Sequence, residues 1–205
     1  MAVTRLFLIR HAEVEARYQS TFGGRIDMDL SPRGHQQARA LAAFLGRLSL
    51  DALYASPMKR VQQTLAPWLN DGAPPPVVLP DLREVDFGDW TGLGWDAVKE
   101  RFGQSAWDWL HCFERGDVPN GETAAGFRAR VEPCMRQVAR EHPGRNVALV
   151  CHGGVIRMIL SIVLELPLPQ TASLAIDYAS VTRVALETPR AELELLNFAP
   201  WRELP

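Results

Sequence analysis

The stretch Leu6-Phe7-Leu8-Ile9-Arg10-His11-Ala12-Glu13 decides how the rest of this chain is read. Four apolar residues run without interruption into an arginine and a histidine, where the apolar run ends. A short continuous run of this kind predicts a strand buried on both faces, as inside a parallel sheet. Its polar end then lies at the carboxyl edge, where open α/β sheets hold their ligands. Arg10 and His11 are the expected floor of a pocket, and other site-like segments are judged by whether they can reach it.

Outward from this strand, helical and strand patterns alternate. Ser31-Pro32 reads as an N-cap followed by proline at the first helical position. Ala38, Leu41, Ala42, Leu45 and Leu48 keep helical spacing, predicting an amphipathic helix over 32–47. A short strand follows at 51–55. Ser56-Pro57 repeats the cap-plus-proline signal and predicts a helix from there through about Leu69. Further strands are expected at 77–79 and 146–151, and a helix over about 122–141. The turn His152-Gly153-Gly154 leads into a last helix over 155–164. Late strands near 181–186 and 192–198 are close enough in sequence to form a hairpin and hence an antiparallel edge. The expected fold class is α/β: a three-layer α/β/α sandwich with a mostly parallel sheet and an antiparallel edge strand.

One domain is expected over 1–205, with an excursion from the sheet at about 81–120 that contains one or two short helices. That excursion holds four of the six tryptophans, Trp90, Trp95, Trp107 and Trp109. Its aromatics either wall a substrate cleft or form a satellite core beneath a long loop, and the sequence leaves both open.

A net charge of -2 gives no global attraction to nucleic acid or anionic membrane, so any basic site is local. The longest apolar stretch, around Val155 to Leu164, carries Arg157 and is too short to span a bilayer. The first strand begins so early that no signal peptide is expected. The three cysteines (Cys112, Cys134 and Cys151) are not spaced as metal ligands, and reduced thiols in a cytoplasmic protein are the expectation. Cys151 beside His152 reads as a buried strand-end cysteine rather than a nucleophile.

Three strand-to-helix junctions carry similar cargo. The first ends in Arg10-His11, the second leads through Ser56-Pro57-Met58-Lys59-Arg60, and the third ends in His152-Gly153-Gly154. Each sets cationic or protonatable groups where helix N-termini already favour an anion. Two arginines, two histidines and a helix dipole suit a dianionic phosphoryl group, two of whose oxygens one guanidinium can grip at once.

Five ordered segments carry a resemblance. They are Leu8 to Glu13, Leu30-Ser31-Pro32-Arg33-Gly34-His35-Gln36-Gln37-Ala38, and Ala55-Ser56-Pro57-Met58-Lys59-Arg60-Val61-Gln62-Gln63-Thr64. Leu82-Arg83-Glu84-Val85-Asp86-Phe87-Gly88-Asp89-Trp90-Thr91-Gly92 and Val150-Cys151-His152-Gly153-Gly154-Val155-Ile156-Arg157 complete the set. Together they span almost the whole chain, which resembles the histidine phosphatase superfamily, in its phosphoglycerate mutase-like branch. The Phe87 to Gly92 run resembles the subgroup of α-ribazole phosphatases and broad-specificity phosphatases.

That resemblance implies His11 as a nucleophile forming a phosphohistidine, with Arg10, Arg60 and His152 holding the phosphoryl oxygens. Glu84 is implied as the general acid and then base, beside Phe87 and Trp90; Asp86, two residues on, is the alternative carboxylate. The chain departs from the family at Ala12, where glycine is usual, and at Arg17, where many relatives have a phosphate-contacting asparagine. Arg17 either replaces that contact or faces solvent. Thr21-Phe22-Gly23-Gly24 stands where relatives have Arg-x-Gln-Gly, leaving the Gly23 N–H, and with it Gly153, as possible substrate contacts. The implied activity is metal-independent hydrolysis of a small organic phosphomonoester. A phosphoglycerate mutase or other phosphotransferase is the alternative, and a catalytically weak phospho-ligand binding protein is a third reading. No metal or cofactor, nucleic acid or membrane partner is expected, and the chain is expected to be a monomer or homodimer.

Overall fold

A computed structural model of the chain describes residues 3–105, 108–187 and 190–203. Strand β1 (Thr4–Arg10) is central. Its successive side chains point to opposite faces, so Leu6 and Leu8 enter one apolar core while Phe7 and Ile9 enter another. All four are buried, which is why the run has no polar alternation.

Five further strands complete the sheet: β2 (Ala52–Ala55), β3 (Pro76–Val78), β4 (Asn146–Cys151), β5 (Val181–Leu186) and β6 (Ala191–Phe198). Their order is β3-β2-β4-β1-β5-β6, parallel from β3 to β1 and antiparallel at β5 and β6. The late hairpin thus forms one edge, as expected. Helices α1 (Pro32–Leu45) and α2 (Lys59–Leu69) supply the core that takes Phe7 and Ile9. The opposite core takes α5 (Ala124–Glu141) and α6 (Gly153–Val163). This is the mixed α/β three-layer arrangement that the alternation of elements predicts.

The two cap-plus-proline signals have different outcomes. Ser31 accepts a hydrogen bond from Gly34 N (2.9 Å), and α1 starts at Pro32 as expected. After Ser56 the helix starts only at Lys59, with Met58 at the N-cap position and no side-chain cap. The Ser56 hydroxyl is instead engaged by His152, and the backbone must travel two residues further before it can turn. The glycines after His152 also differ from expectation: they form the first turn of α6 rather than a turn preceding it.

Within the 81–120 excursion, single 3-10 turns at Pro80–Leu82 and Gly88–Trp90 precede two short helices, α3 (Trp95–Phe102) and α4 (Trp109–Arg115). The aromatics of the excursion divide between core and pocket. Trp90 is fully buried against Phe22 and Phe102, whereas Trp95 and Trp109 face a pocket at the sheet's carboxyl edge. Trp107 lies outside the described residues. Among the described residues, no helix is long and apolar enough to cross a membrane.

Candidate active site

Sheet register brings together residues far apart in sequence. Arg10 pairs with Cys151 across β1 and β4, and Ala55 pairs with Val150 across β2 and β4. The three chains therefore leave the sheet side by side. His11 N donates to Cys151 O (3.0 Å) and Ser56 N to Val150 O (2.9 Å). One strand-end step places His11 beside His152, with ring centroids 5.2 Å apart.

The turn after β1 has no ladder to satisfy its backbone donors, and polar side chains from α1 and α2 take that role. Thr64 Oγ1 accepts from Ala12 N, Gln37 Oε1 from Glu13 N and Gln63 Oε1 from Leu30 N, each at 2.9 Å. Ala12 is fully buried and keeps a negative φ, so glycine is not required there.

Both histidines are buried, and their tautomers follow from their partners. His11 Nδ1 lies 2.8 Å from Ala12 O, which can only accept; Nδ1 carries the proton and Nε2 a lone pair. Arg60 Nε donates to His11 Nε2 and to His152 Nδ1, both at 3.2 Å. His152 Nδ1 is thus an acceptor, and its Nε2–H donates to Ser56 Oγ (2.8 Å). Burial, reinforced by Arg60 and by Arg10, holds both imidazoles well below the usual histidine pKa. In His11 the bond to Ala12 O opposes this in part, and the neighbouring His11 ring adds to the lowering at His152.

The arginines lack the usual compensation. Arg60 is 2% exposed, and its remaining donors go to Ile26 O (2.8 Å) and Gly24 O (2.9 Å). Gly24 has φ +49°, a left-handed turn that suits glycine at the residue whose carbonyl meets Arg60. Arg10 Nη1 donates to Ile176 O (2.7 Å), and its guanidinium carbon lies 4.0 Å from the centre of the Tyr178 ring. Arg10 Nε is buried with no hydrogen-bond partner among the described residues. Within that set neither arginine has a carboxylate at ion-pair distance. Arg60 is buried and Arg10 half-buried, so two guanidiniums without an ion-pair partner are costly there, and an oxyanion between them offsets that cost.

Glu84 closes the same hollow, whose volume is about 250 Å³. Its Oε2 accepts from Gly154 N (3.2 Å) in the first turn of α6. A Cβ at Gly154 would stand 2.4 Å from Glu84 Oε1, so the carboxylate occupies the space that a side chain would take. Asp86 turns elsewhere: it accepts from Gly88 N (3.0 Å) and pairs with Arg25 (3.5 Å). The carboxylate in the hollow is Glu84. Phe87 lines the hollow as expected, but Trp90 is sealed in the core behind it.

Gly23 and Gly153 also line the hollow. Arg17 does not. It is turned to solvent, pairs with Glu15 (2.8 Å) and stacks on Tyr18. Sequence reasoning missed Tyr178, whose ring lies 5.6 Å from that of His11, and it read Ser56 only as a cap. It also gave no role to Arg157, which lines the hollow and donates to the carbonyls of Thr171 and Leu174. Those bonds anchor the segment that presents Ile176 and Tyr178 to Arg10. Cys151 is buried, with its thiol pKa pushed up by burial, in keeping with a strand-end cysteine. A larger hollow of about 690 Å³ lies at the opposite edge of the sheet, lined by Thr4 and the far ends of α5 and α6, away from the paired histidines.

Comparison with known proteins agrees with this geometry. The chain is 31% identical over 196 residues to phosphoserine phosphatase 1 of Hydrogenobacter thermophilus, covering 95% of this chain and 92% of that one. It is 31% identical over 160 residues to the metal-independent phosphoserine phosphatase of Arabidopsis thaliana, covering 77% of this chain and 67% of the relative. The crystal structure of the α-ribazole phosphatase from Shigella flexneri superposes with a TM-score of 0.81 at 27% identity, covering 94% of this chain and 96% of that one. The family model of the histidine phosphatase superfamily (branch 1) matches residues 6–199, and the chain belongs to that superfamily.

Proposed function

We propose that the chain hydrolyses a small organic phosphomonoester by way of a phosphohistidine at His11, without a metal. The observation that carries this reading is the pair of uncompensated guanidiniums, Arg10 and Arg60, flanking an imidazole whose Nε2 lone pair is free of its own proton. Burial keeps that lone pair unprotonated at neutral pH, which a nucleophile requires.

In the first half-reaction His11 Nε2 forms a bond to phosphorus as the ester P–O bond breaks. The leaving oxygen takes a proton from the Glu84 carboxyl. Arg10, Arg60 and His152 meet the charge on the equatorial oxygens as it develops. In the second half-reaction water attacks phosphorus and yields a proton to the Glu84 carboxylate. The P–N bond breaks, and inorganic phosphate and neutral His11 are restored. Phe87, Trp95 and Trp109 offer an apolar surface to the organic part of the substrate. The relatives named for phosphoserine and α-ribazole phosphate support a small phosphate ester as substrate.

The test is to denature the enzyme during turnover of a labelled phosphate ester and look for an acid-labile, alkali-stable phosphoryl adduct on His11. The expected result is an adduct that His11→Ala lacks, with folding retained and turnover reduced by at least about 10³-fold, as for loss of other covalent nucleophiles. Hydrolysis is expected to continue in EDTA, since arginines rather than a metal meet the phosphate charge, and 3-phosphoglycerate is expected not to isomerise. Wild-type turnover by His11→Ala would overturn the assignment, and net isomerisation would make the chain a mutase.

A further inference from the structure

Glu84 sits on a segment with almost no regular structure of its own. After the 3-10 turn at Pro80–Leu82, the chain runs through Arg83 to Phe87 before the next turn at Gly88. The carbonyls of Asp81, Arg83 and Glu84 all receive hydrogen bonds from one side chain, Arg130 of α5. Its Nη1 donates to Asp81 O (2.5 Å) and Arg83 O (2.8 Å), and its Nη2 to Glu84 O (3.1 Å).

The same guanidinium grips Glu122 through two bonds, Nε to Oε1 (2.7 Å) and Nη2 to Oε2 (3.0 Å). Glu122 holds the other end of the segment: its Oε2 accepts from Asp86 N (3.3 Å), and its own N donates to Asp86 O (2.9 Å). The pair is largely sequestered, with side-chain exposures of 16% for Arg130 and 13% for Glu122. Arg130 also lies over the Phe127 ring, 4.6 Å from its centre, which fixes the guanidinium plane. Residues on both sides of Glu84 are therefore pinned, by Arg130 of α5 and by Glu122 just before that helix, while its carboxylate reaches the opposite way to Gly154 N.

We propose that Arg130, held by Glu122, is the positioning residue for the Glu84 carboxylate, and that its contribution to catalysis is expressed through protonation of the leaving group. This rests on the general-acid reading of Glu84. Five donated bonds in one plane are beyond an ammonium, so lysine does not replace this side chain. Displacement of a catalytic group by about 1 Å costs on the order of 10²-fold in rate.

A scaffold that acts through a general acid has a signature that loss of folded protein lacks. An aryl ester such as p-nitrophenyl phosphate releases a stable anion and gains little from protonation, whereas an alkyl phosphate needs the proton. The measurement is kcat/KM for both esters, since it reports the step in which the leaving group departs. It is made on Arg130→Met and Arg130→Lys, alone and combined with Glu84→Gln. The expected result is a fall of about 30- to 100-fold on the alkyl ester and under about threefold on the aryl ester. In the Glu84→Gln background the Arg130 substitutions are expected to add less than about twofold, because the two groups act as one unit.

Equal losses on both esters, no loss, or full additivity with Glu84→Gln would overturn the proposal. If Arg130→Met does not fold, Arg130→Lys is read, since it keeps the charge and the packing stem. Should Glu84→Gln itself treat the two esters alike, the general-acid reading fails first and takes the proposal with it. A selective Glu84→Gln beside an unselective Arg130→Lys would sink the Arg130 role alone.

Discussion

At its cationic end the pocket is made from the ends of regular elements, whereas at its aromatic end it is made from loops. Arg10, His11 and His152 are the last residues of β1 and β4 or the first beyond them, and Arg60 sits in the first turn of α2. Their positions are set by sheet register, and none can move without slipping a strand. The aromatic end joins segment 17–24 to the excursion through one isolated bridge, Thr21 to Gly94, and the bonds Phe22 N to Leu93 O (3.0 Å) and Gly92 N to Phe22 O (2.9 Å). Its rings pack against one another, as Phe22 on Phe87 and Phe87 on Trp109. Under the proposed reaction, chemistry common to phosphate esters falls to the scaffold and recognition of one particular ester to the loops, where change is tolerated without unfolding.

Glu84 belongs to neither end alone, and Gly154 is the sharpest place to test how it is held. Gly154→Ala puts a methyl 2.4 Å from Glu84 Oε1, while the helix itself loses nothing, because Gly154 has no positive φ. The carboxylate is the flexible end of a side chain and gives way. The expected outcome is a fall of about 10²-fold in kcat/KM for an alkyl phosphate, with Tm unchanged or raised, since alanine is the better helix former. Activity retained within threefold would mean that Glu84 works from a different position.

The cationic end was legible in the sequence because each of its residues follows a periodic run that fixes where it stands. Arg10 and His11 end an apolar run, and His152 ends another; the junction itself locates them. Arg60 was legible for the same reason even though α2 begins later than its Ser-Pro signal implies. Ser31 and Ser56 carry the same local signal, yet Ser56 bonds His152, a partner 96 residues away that no local pattern displays. Tyr178 and Arg130 were illegible on similar grounds. Tyr178 acts from a loop fixed by Arg157 and Arg10, and Arg130 falls on α5 among Arg128, Arg136 and Arg140, from which only tertiary contacts distinguish it.

The same contrast has a pH signature. Both site histidines are held below their ordinary pKa, which is about 6.5 in an unfolded chain. Above that value the histidines are neutral in both states, and their burial has no proton-linked cost. As pH falls below about 6.5 the unfolded chain takes up protons that the folded one refuses, and stability declines by as much as about 1.4 kcal/mol per pH unit for each histidine. The carboxylates with depressed pKa values, among them Asp51 and Glu194, make their loss at lower pH. Urea unfolding at pH 7, 6 and 5 is expected to show the decline, and His11→Asn to reduce it. A flat profile over that range would mean that the folded site accepts protons and that His11 is not held neutral by its surroundings.

Arg17 gives the smallest expected effect and asks whether the loops stay where they are during turnover. Its guanidinium is bound to Glu15 in solvent, and an exposed pair of this kind contributes little to stability. If the aromatic end keeps this arrangement with substrate present, Arg17→Ala changes kcat/KM by less than about twofold, because no charge is removed from the phosphoryl site. A loss of tenfold or more would require segment 14–24 to swing Arg17 off Glu15 and onto the phosphate. The division between a fixed cationic end and a variable aromatic one would then fail, since a loop would be supplying part of the charge that β1, α2 and β4 otherwise supply. Glu15→Gln separates the two cases. It frees Arg17 without removing it, so a loop that closes on phosphate should bind inorganic phosphate more tightly in this variant, whereas a loop that stays open should leave its affinity unchanged.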